Sequence, residues 1–242
     1  MRISRIHTPQ ALAPDSIAEL DAAAANYLGR SLKLRRGDNV VLFNGDGADY
    51  AAGITELTKN GVKLEVRSRL PAAAESPVNI TLVQAIGRGD RMDYSLQKAT
   101  ELGVSTIQPL VTSRVEVKLH GSRLDRRMAH WQGVVIAACE QSGRAVVPEL
   151  HTPVDLGSWL EIATDTPRWV LEPASDRSIS GQPLDGAALM LAVGPEGGFE
   201  ARELEAMTAA GVFPVSMGPR TLRMETAGPA ALAVLQSRFG DF

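Results

Sequence analysis

The chain has one cysteine, Cys139, so no internal disulfide can form. That usage fits a reducing cytoplasm rather than a secreted, disulfide-stapled domain. Cys139 ends the apolar run Val134-Val135-Ile136-Ala137-Ala138-Cys139 and is expected to pack as a small hydrophobe. No apolar run approaches the roughly 20 residues that span a bilayer, so no membrane segment is expected. The start, Met1-Arg2-Ile3-Ser4-Arg5-Ile6, alternates like a strand and has no signal-peptide apolar core. His7, His120, His130 and His151 are scattered, and none is spaced with a partner as in a zinc site. No metal is expected. Positive charge is not in surplus either, since the net charge is -3.

That balance is uneven along the chain. Residues 1–74 hold ten Lys/Arg against eight Asp/Glu, whereas 75–242 hold fifteen against twenty. Basic clusters stand at Lys33, Arg35 and Arg36; at Arg88 and Arg91; at Arg114 and Lys118; and at Arg123, Arg126 and Arg127. Binding to phosphate needs local positive potential, not a basic total, so nucleic acid is not excluded.

The proline-bounded stretch 71–77 reads as a linker, dividing a domain over 1–72 from one over 73–242. Before it, strand signals dominate. Asn39-Val40-Val41-Leu42-Phe43 runs into the hairpin turn Asn44-Gly45-Asp46-Gly47, and 50–57 returns. Residues 62–67 alternate cleanly after the turn Lys59-Asn60-Gly61. One alanine-rich helix is predicted over 16–28. The whole reads as a small β-rich, barrel-like unit.

Beyond the linker, strands alternate with helices, which implies a mainly parallel sheet. Strands are predicted over 78–86, 106–111, 147–150, 169–171, 188–193 and 212–217. Helices are predicted over 90–102, 122–141, 201–210 and 226–239, the last with Thr226 as N-cap.

Two stretches carry chemistry. Val193-Gly194-Pro195-Glu196-Gly197-Gly198 and Met217-Gly218-Pro219-Arg220-Thr221-Leu222-Arg223 each follow a short apolar strand and precede a helix. Ligands of parallel sheets sit at such turns, outside the carboxyl ends of the strands. The first is not a P-loop, because no Gly-Lys-Ser/Thr follows to meet β- and γ-phosphates. A backbone-lined pocket suits a neutral or zwitterionic purine ligand, with Leu171, Val193, Met217 and Leu222 as apolar walls. The turn Gly87-Arg88-Gly89 imitates a dinucleotide fingerprint but places Met92 where the third glycine belongs. Glu140-Gln141-Ser142-Gly143-Arg144 closes a long helix; it is either a structural cap or a polar grip for a substrate.

Together with Gln97-Lys98-Ala99-Thr100-Glu101-Leu102-Gly103-Val104 and Ala137-Ala138-Cys139-Glu140, these motifs resemble the bacterial 16S rRNA (uracil-N3) methyltransferases, the RsmE-type branch of the SPOUT superfamily. The resemblance covers essentially the whole chain. It implies an α/β methyltransferase domain with a C-terminal trefoil knot, preceded by a PUA-like RNA-binding barrel. It implies a cytoplasmic homodimer that uses S-adenosylmethionine (SAM) to methylate N3 of one uridine in the small ribosomal subunit. The cofactor loops carried over are Leu171, Glu172 and Pro173; Val193, Gly194, Pro195, Glu196 and Gly198; and Met217, Gly218, Leu222, Arg223, Thr226 and Ala227. Members often have asparagine or histidine near the first loop, where this chain has Glu172.

Removing the N3 proton calls for a base, and an arginine beside a uracil oxygen would stabilise the anion. Arg223 is the expected stabiliser, and Glu225, or else Glu196, the expected proton acceptor. The plainer alternative is an Arg223–Glu225 ion pair that only shapes the loop. RNA contacts are assigned to Arg2, Arg5, Arg30, Lys33, Arg35 and Arg36, with Arg88, Arg91 and Arg144 nearer the pocket. Two rivals remain: a non-catalytic RNA-binding or assembly protein with a dimerising scaffold, and, more weakly, a nicotinamide enzyme.

Overall fold

A computed structural model describes residues 4–114 and 120–242 and contains two compact units. The first runs through Glu75 and takes in Cys139–Val147; the second holds Ser76–Ala138 and Pro148–Phe242. The division therefore falls three residues beyond the sequence expectation, and a segment from far along the chain joins the first unit. Its reason is apolar. Phe43, Cys139 and Ala145 form a buried cluster, with Ala72 and Val147 packed against it. Cys139 is fully buried, and burial pushes its thiol up to about 11. It is thus a packing residue, not a nucleophile.

In the first unit, β1 (Arg5–His7), β2 (Ser16–Leu20), β3 (Asn39–Phe43), β4 (Asp49–Leu57) and β5 (Val62–Leu70) form one sheet in the order β1-β3-β4-β5-β2. Strand β5 shows the period-2 pattern plainly: Val62, Leu64 and Val66 point into the core while Lys63, Glu65 and Arg67 face out. The expected helix over 16–28 is a strand in its first five residues and helical only from Ala22. Residues Ser16–Leu20 pair antiparallel with β5 and bury Ala18, so sheet pairing overrides helix propensity there. Helix α1 is only Ala22–Asn26, capped by Asp21, whose carboxylate accepts from the Ala24 amide at 2.9 Å. A π-helical turn, Tyr27–Ser31, follows it.

In the second unit, β6 (Asn79–Ala85), α2 (Asp90–Glu101) and β7 (Thr106–Val111) open a parallel sheet. Next along the chain come α3 (Ser122–Ser142), β8 (Glu149–Leu150), β9 (Val154–Asp155) and α4 (Leu156–Glu161). The chain then forms β10 (Arg168–Leu171), β11 (Ala188–Val193), α5 (Ala201–Ala209), β12 (Phe213–Val215) and α6 (Met224–Phe239). The sheet order is β12-β10-β11-β6-β7-β8, with β9 also on β7. Val83, Leu110, Trp159, Val170, Ala192 and Met207 fill the core on one face. The carboxyl ends of β12, β10 and β11 lie side by side, and that is where the sequence places its glycine-bearing turns. No helix among the described residues is long and apolar enough to cross a membrane.

Candidate active site

Three loops leave the adjacent strand ends. After β10, the Glu172 amide donates to the Val215 carbonyl at 2.9 Å, which fastens the first loop to β12. After β11, Pro195 is buried, and the Gly198 amide closes a turn onto the Pro195 carbonyl at 2.9 Å. Gly198 has φ of 69°, a left-handed conformation that costs most residues about 1–2 kcal/mol. After β12, the Ser216 carbonyl accepts from the Ile179 amide at 2.9 Å, and Met217 and Gly218 lead toward α6.

The loops enclose a cleft of about 700 Å³ including its open mouth, within the range of small-molecule sites. Leu171, Glu172 and Pro173 line it from the first loop. Val193, Gly194, Pro195, Glu196 and Gly198 line it from the second, and Met217, Gly218 and Leu222 from the third. Ala227 reaches it from α6. Two expected lining residues do not: Arg223 and Thr226. Helix α6 begins at Met224 with Arg223 as N-cap, so Thr226 is not the cap but an exposed first-turn residue. Five residues outside the expected cofactor-binding set also line the cleft: Phe199, Val215, Arg220, Thr221 and Met224. Phe199 had a signal, being an apolar residue directly after a glycine pair.

A second cavity adjoins the first and shares Glu196 and Met224 with it; Arg91, Arg223 and Glu225 complete its lining. Met224 is buried, and Gly87 makes room for it, because a Cβ on Gly87 would stand 2.5–2.6 Å from the Met224 thioether. The turn that imitates a dinucleotide fingerprint is thus a seat for a side chain. Glu225 brings one carboxylate oxygen, Oε2, out of solvent with no hydrogen-bond partner among the described residues. Arg223 is exposed, and no Arg223–Glu225 ion pair exists among the described residues, so the loop-shaping alternative lacks its contact.

Glu196 behaves differently. Its Oε1 accepts from the Arg88 amide at 3.0 Å and from Arg91 Nη1 at 2.8 Å. Burial raises its pKa, but the Arg88 amide and the Arg91 guanidinium outweigh that, and the net shift is downward. A carboxylate held below its ordinary range is a poor proton acceptor. Glu196 therefore ties the glycine-rich loop to the β6–α2 turn. Arg114 holds the same loop from β7, donating to the Gly197 carbonyl.

Residues 74–236 match the family model described as an RNA methyltransferase domain, and 20–67 match an RNA methyltransferase PUA domain. The Ribosomal RNA small subunit methyltransferase E of Buchnera aphidicola is 30% identical over 99% of this chain and 98% of its own length. The chain belongs to this family. The Neisseria gonorrhoeae family member, crystallised with SAM, is 35% identical and superimposes with a TM-score of 0.92 over 100% of both chains. A Legionella pneumophila protein described as a methyltransferase and solved with SAM is 38% identical, with a TM-score of 0.96 over 100% of both chains.

The matched PUA segment contains Arg30, Lys33, Arg35 and Arg36, all exposed. In the methyltransferase unit Arg88 and Arg91 are exposed as well. Arg2 and Lys118 lie outside the described residues. Two further arginines expected to contact RNA do not face solvent. Arg5 pairs with Asp49, stacks over Phe43 and donates to the Arg144 carbonyl at 3.0 Å. Arg144 is 8% exposed and pairs with Glu75, its Nε lying 3.0 Å from Oε2. Both are internal ties of the first unit.

The polar helix end is part of the same framework, since Glu140 Oε1 accepts from the His7 amide at 3.0 Å. Burial raises the Glu140 pKa above 4.5, with the His7 amide and Arg5 offsetting only part of the effect. A carboxyl whose pKa is raised by folding stabilises the native state below its unfolded pKa, and that contribution is lost as pH rises through the folded value. Glu140→Gln keeps the acceptor and removes the charge. It is expected to raise resistance to urea at about pH 7.5, with the gap to the parent closing toward about pH 4.5. A gap independent of pH would show that the charge of Glu140 is not strained by burial.

Proposed function

We propose that this chain transfers the methyl group of SAM to N3 of a uridine in 16S rRNA of the small ribosomal subunit. The reading includes a trefoil knot formed by the loops after β10–β12, and a cytoplasmic homodimer. The observation that carries it is the junction of two cavities: a backbone-lined cleft, and beside it a pocket lined by Arg223 and Glu225. The cleft suits SAM, because its walls are largely apolar and backbone and it offers no lysine for a triphosphate. Bound SAM supplies a methyl group activated by an adjacent sulfonium.

The chain's own residues would do the rest. Glu225 accepts the N3 proton, being the carboxylate of that pocket which no amide or guanidinium among the described residues already holds. Arg223 holds the uracil oxygen on which negative charge grows. Glu196 and Arg114 fix the loop between the two cavities, so that cofactor and base are held at one distance.

Calorimetric titration of the purified chain with SAM and with NAD separates this reading from the nicotinamide one. Saturable SAM binding with no NAD heat is expected. NAD binding without SAM binding would overturn the assignment of the cleft.

A further inference from the structure

In the first unit, the segment from Tyr27 to Arg36 has a combination that stability does not call for. Tyr27 begins the π-helical turn and is 43% exposed, whereas its neighbour Leu28 is fully buried. Among the described residues no ring packs on Tyr27 and no cation sits over it. The turn closes with the Leu32 amide on the Tyr27 carbonyl at 3.0 Å and the Leu34 amide on the Leu28 carbonyl at 2.9 Å. In a π-helical turn positions four and five apart share a face, which puts Ser31 beside Tyr27, and the exposed cations Arg30 and Lys33 follow within six residues. π-Helical turns are rare and are found disproportionately at functional sites.

Lys33 follows at φ of 57°, in the left-handed region where helices usually end on glycine. A relaxed sequence would have glycine there; this one keeps an exposed cation at a strained position. Arg30, Lys33, Arg35 and Arg36 are all exposed, and no acidic residue stands between Asp21 and Asp38. None of the four has an ion-pair partner among the described residues.

We propose that this turn is a docking surface for unpaired RNA, with one base stacked on Tyr27 and the flanking phosphates on Arg30 and Lys33. The inference rests on the rRNA substrate assigned above and adds how the first unit reads it. A lone exposed aromatic among cations matches single strands, whose bases are free to stack; in duplex RNA they are already stacked on one another. Charge alone would serve a duplex equally well, so Tyr27 makes the distinction.

Anisotropy titration of the full chain with a short single-stranded RNA, and with a blunt-ended duplex of equal strand length, tests this. Tyr27→Ala is expected to weaken single-strand binding about tenfold while leaving duplex binding unchanged. Tyr27→Phe should retain affinity within about twofold, because the ring suffices for stacking. Lys33→Gly should melt at a higher temperature than the parent yet bind RNA more weakly, with a shallower salt dependence. Single-strand affinity unaffected by Tyr27→Ala, or equal losses for strand and duplex, would overturn the inference. So would Lys33→Gly with undiminished affinity. SAM titration of the same variants reports on the second unit alone, so failure here leaves the methyl-transfer reading standing.

Discussion

Arg223→Ala is expected to lower methyl-transfer turnover at least about tenfold, with SAM affinity kept within about twofold of the parent. The split follows from geometry. Arg223 lines the cavity beside the cofactor cleft and not the cleft itself, so its removal leaves the SAM contacts in place. What is lost is a positive charge where the uracil anion develops, an interaction worth most in the transition state. Arg223→Lys should recover part of the rate, since a point charge remains although the forked geometry does not. Single-turnover rates at saturating SAM, paired with SAM titration, give both readouts. Unchanged turnover would remove Arg223 from the chemistry, and equal losses in rate and SAM affinity would place it in cofactor binding instead.

The second large effect is expected at Gly198. Gly198→Val should weaken SAM binding about tenfold or more, with Gly198→Ala intermediate. No atom lies within 4 Å of a Cβ built on Gly198, so the penalty is not a clash. It is backbone strain at φ of 69°, which a β-branched residue tolerates least. About 1–2 kcal/mol of strain corresponds to roughly a tenfold change in affinity if the loop relaxes away from its binding shape. The variant should still fold, because Gly198 is exposed on a loop and outside the core cluster. Parent-like SAM affinity in Gly198→Val would show that the loop backbone does not define the cofactor site.

Much of the second unit was legible because buried parallel strands announce themselves. The strands over 106–111 and 188–193 fall where their apolar runs lie, bounded by polar or glycine residues. The glycine-bearing turns after β11 and β12 were legible for the same reason, and twelve of the fourteen expected cofactor residues line the cleft. Arg223 and Thr226 fail through a small boundary error. Helix α6 begins at Met224, two residues before its expected start, so Arg223 is the N-cap and Thr226 an exposed first-turn residue. Short elements escaped altogether: β9 and α4 are too brief to show a period.

Other failures needed the third dimension. Alanines at 22–25 suggested a longer helix, but Ser16–Leu20 had an available partner in β5, which no local pattern reveals. By sequence Arg5 and Arg144 read as surface cations, whereas in the fold Asp49 and Glu75 stand beside them. On sequence alone Glu196 is the second choice of base after Glu225. Its amide and guanidinium partners come from a turn more than a hundred residues away, and they hold it ionised.

The atom that receives the methyl group defines the reaction. The direct measurement is transfer from labelled SAM to small ribosomal subunits lacking the modification, followed by digestion to nucleosides. Label in 3-methyluridine, lost in Glu225→Gln, is the predicted result. Label in any other nucleoside, or SAM bound by the chain with none transferred to the subunit, would contradict it.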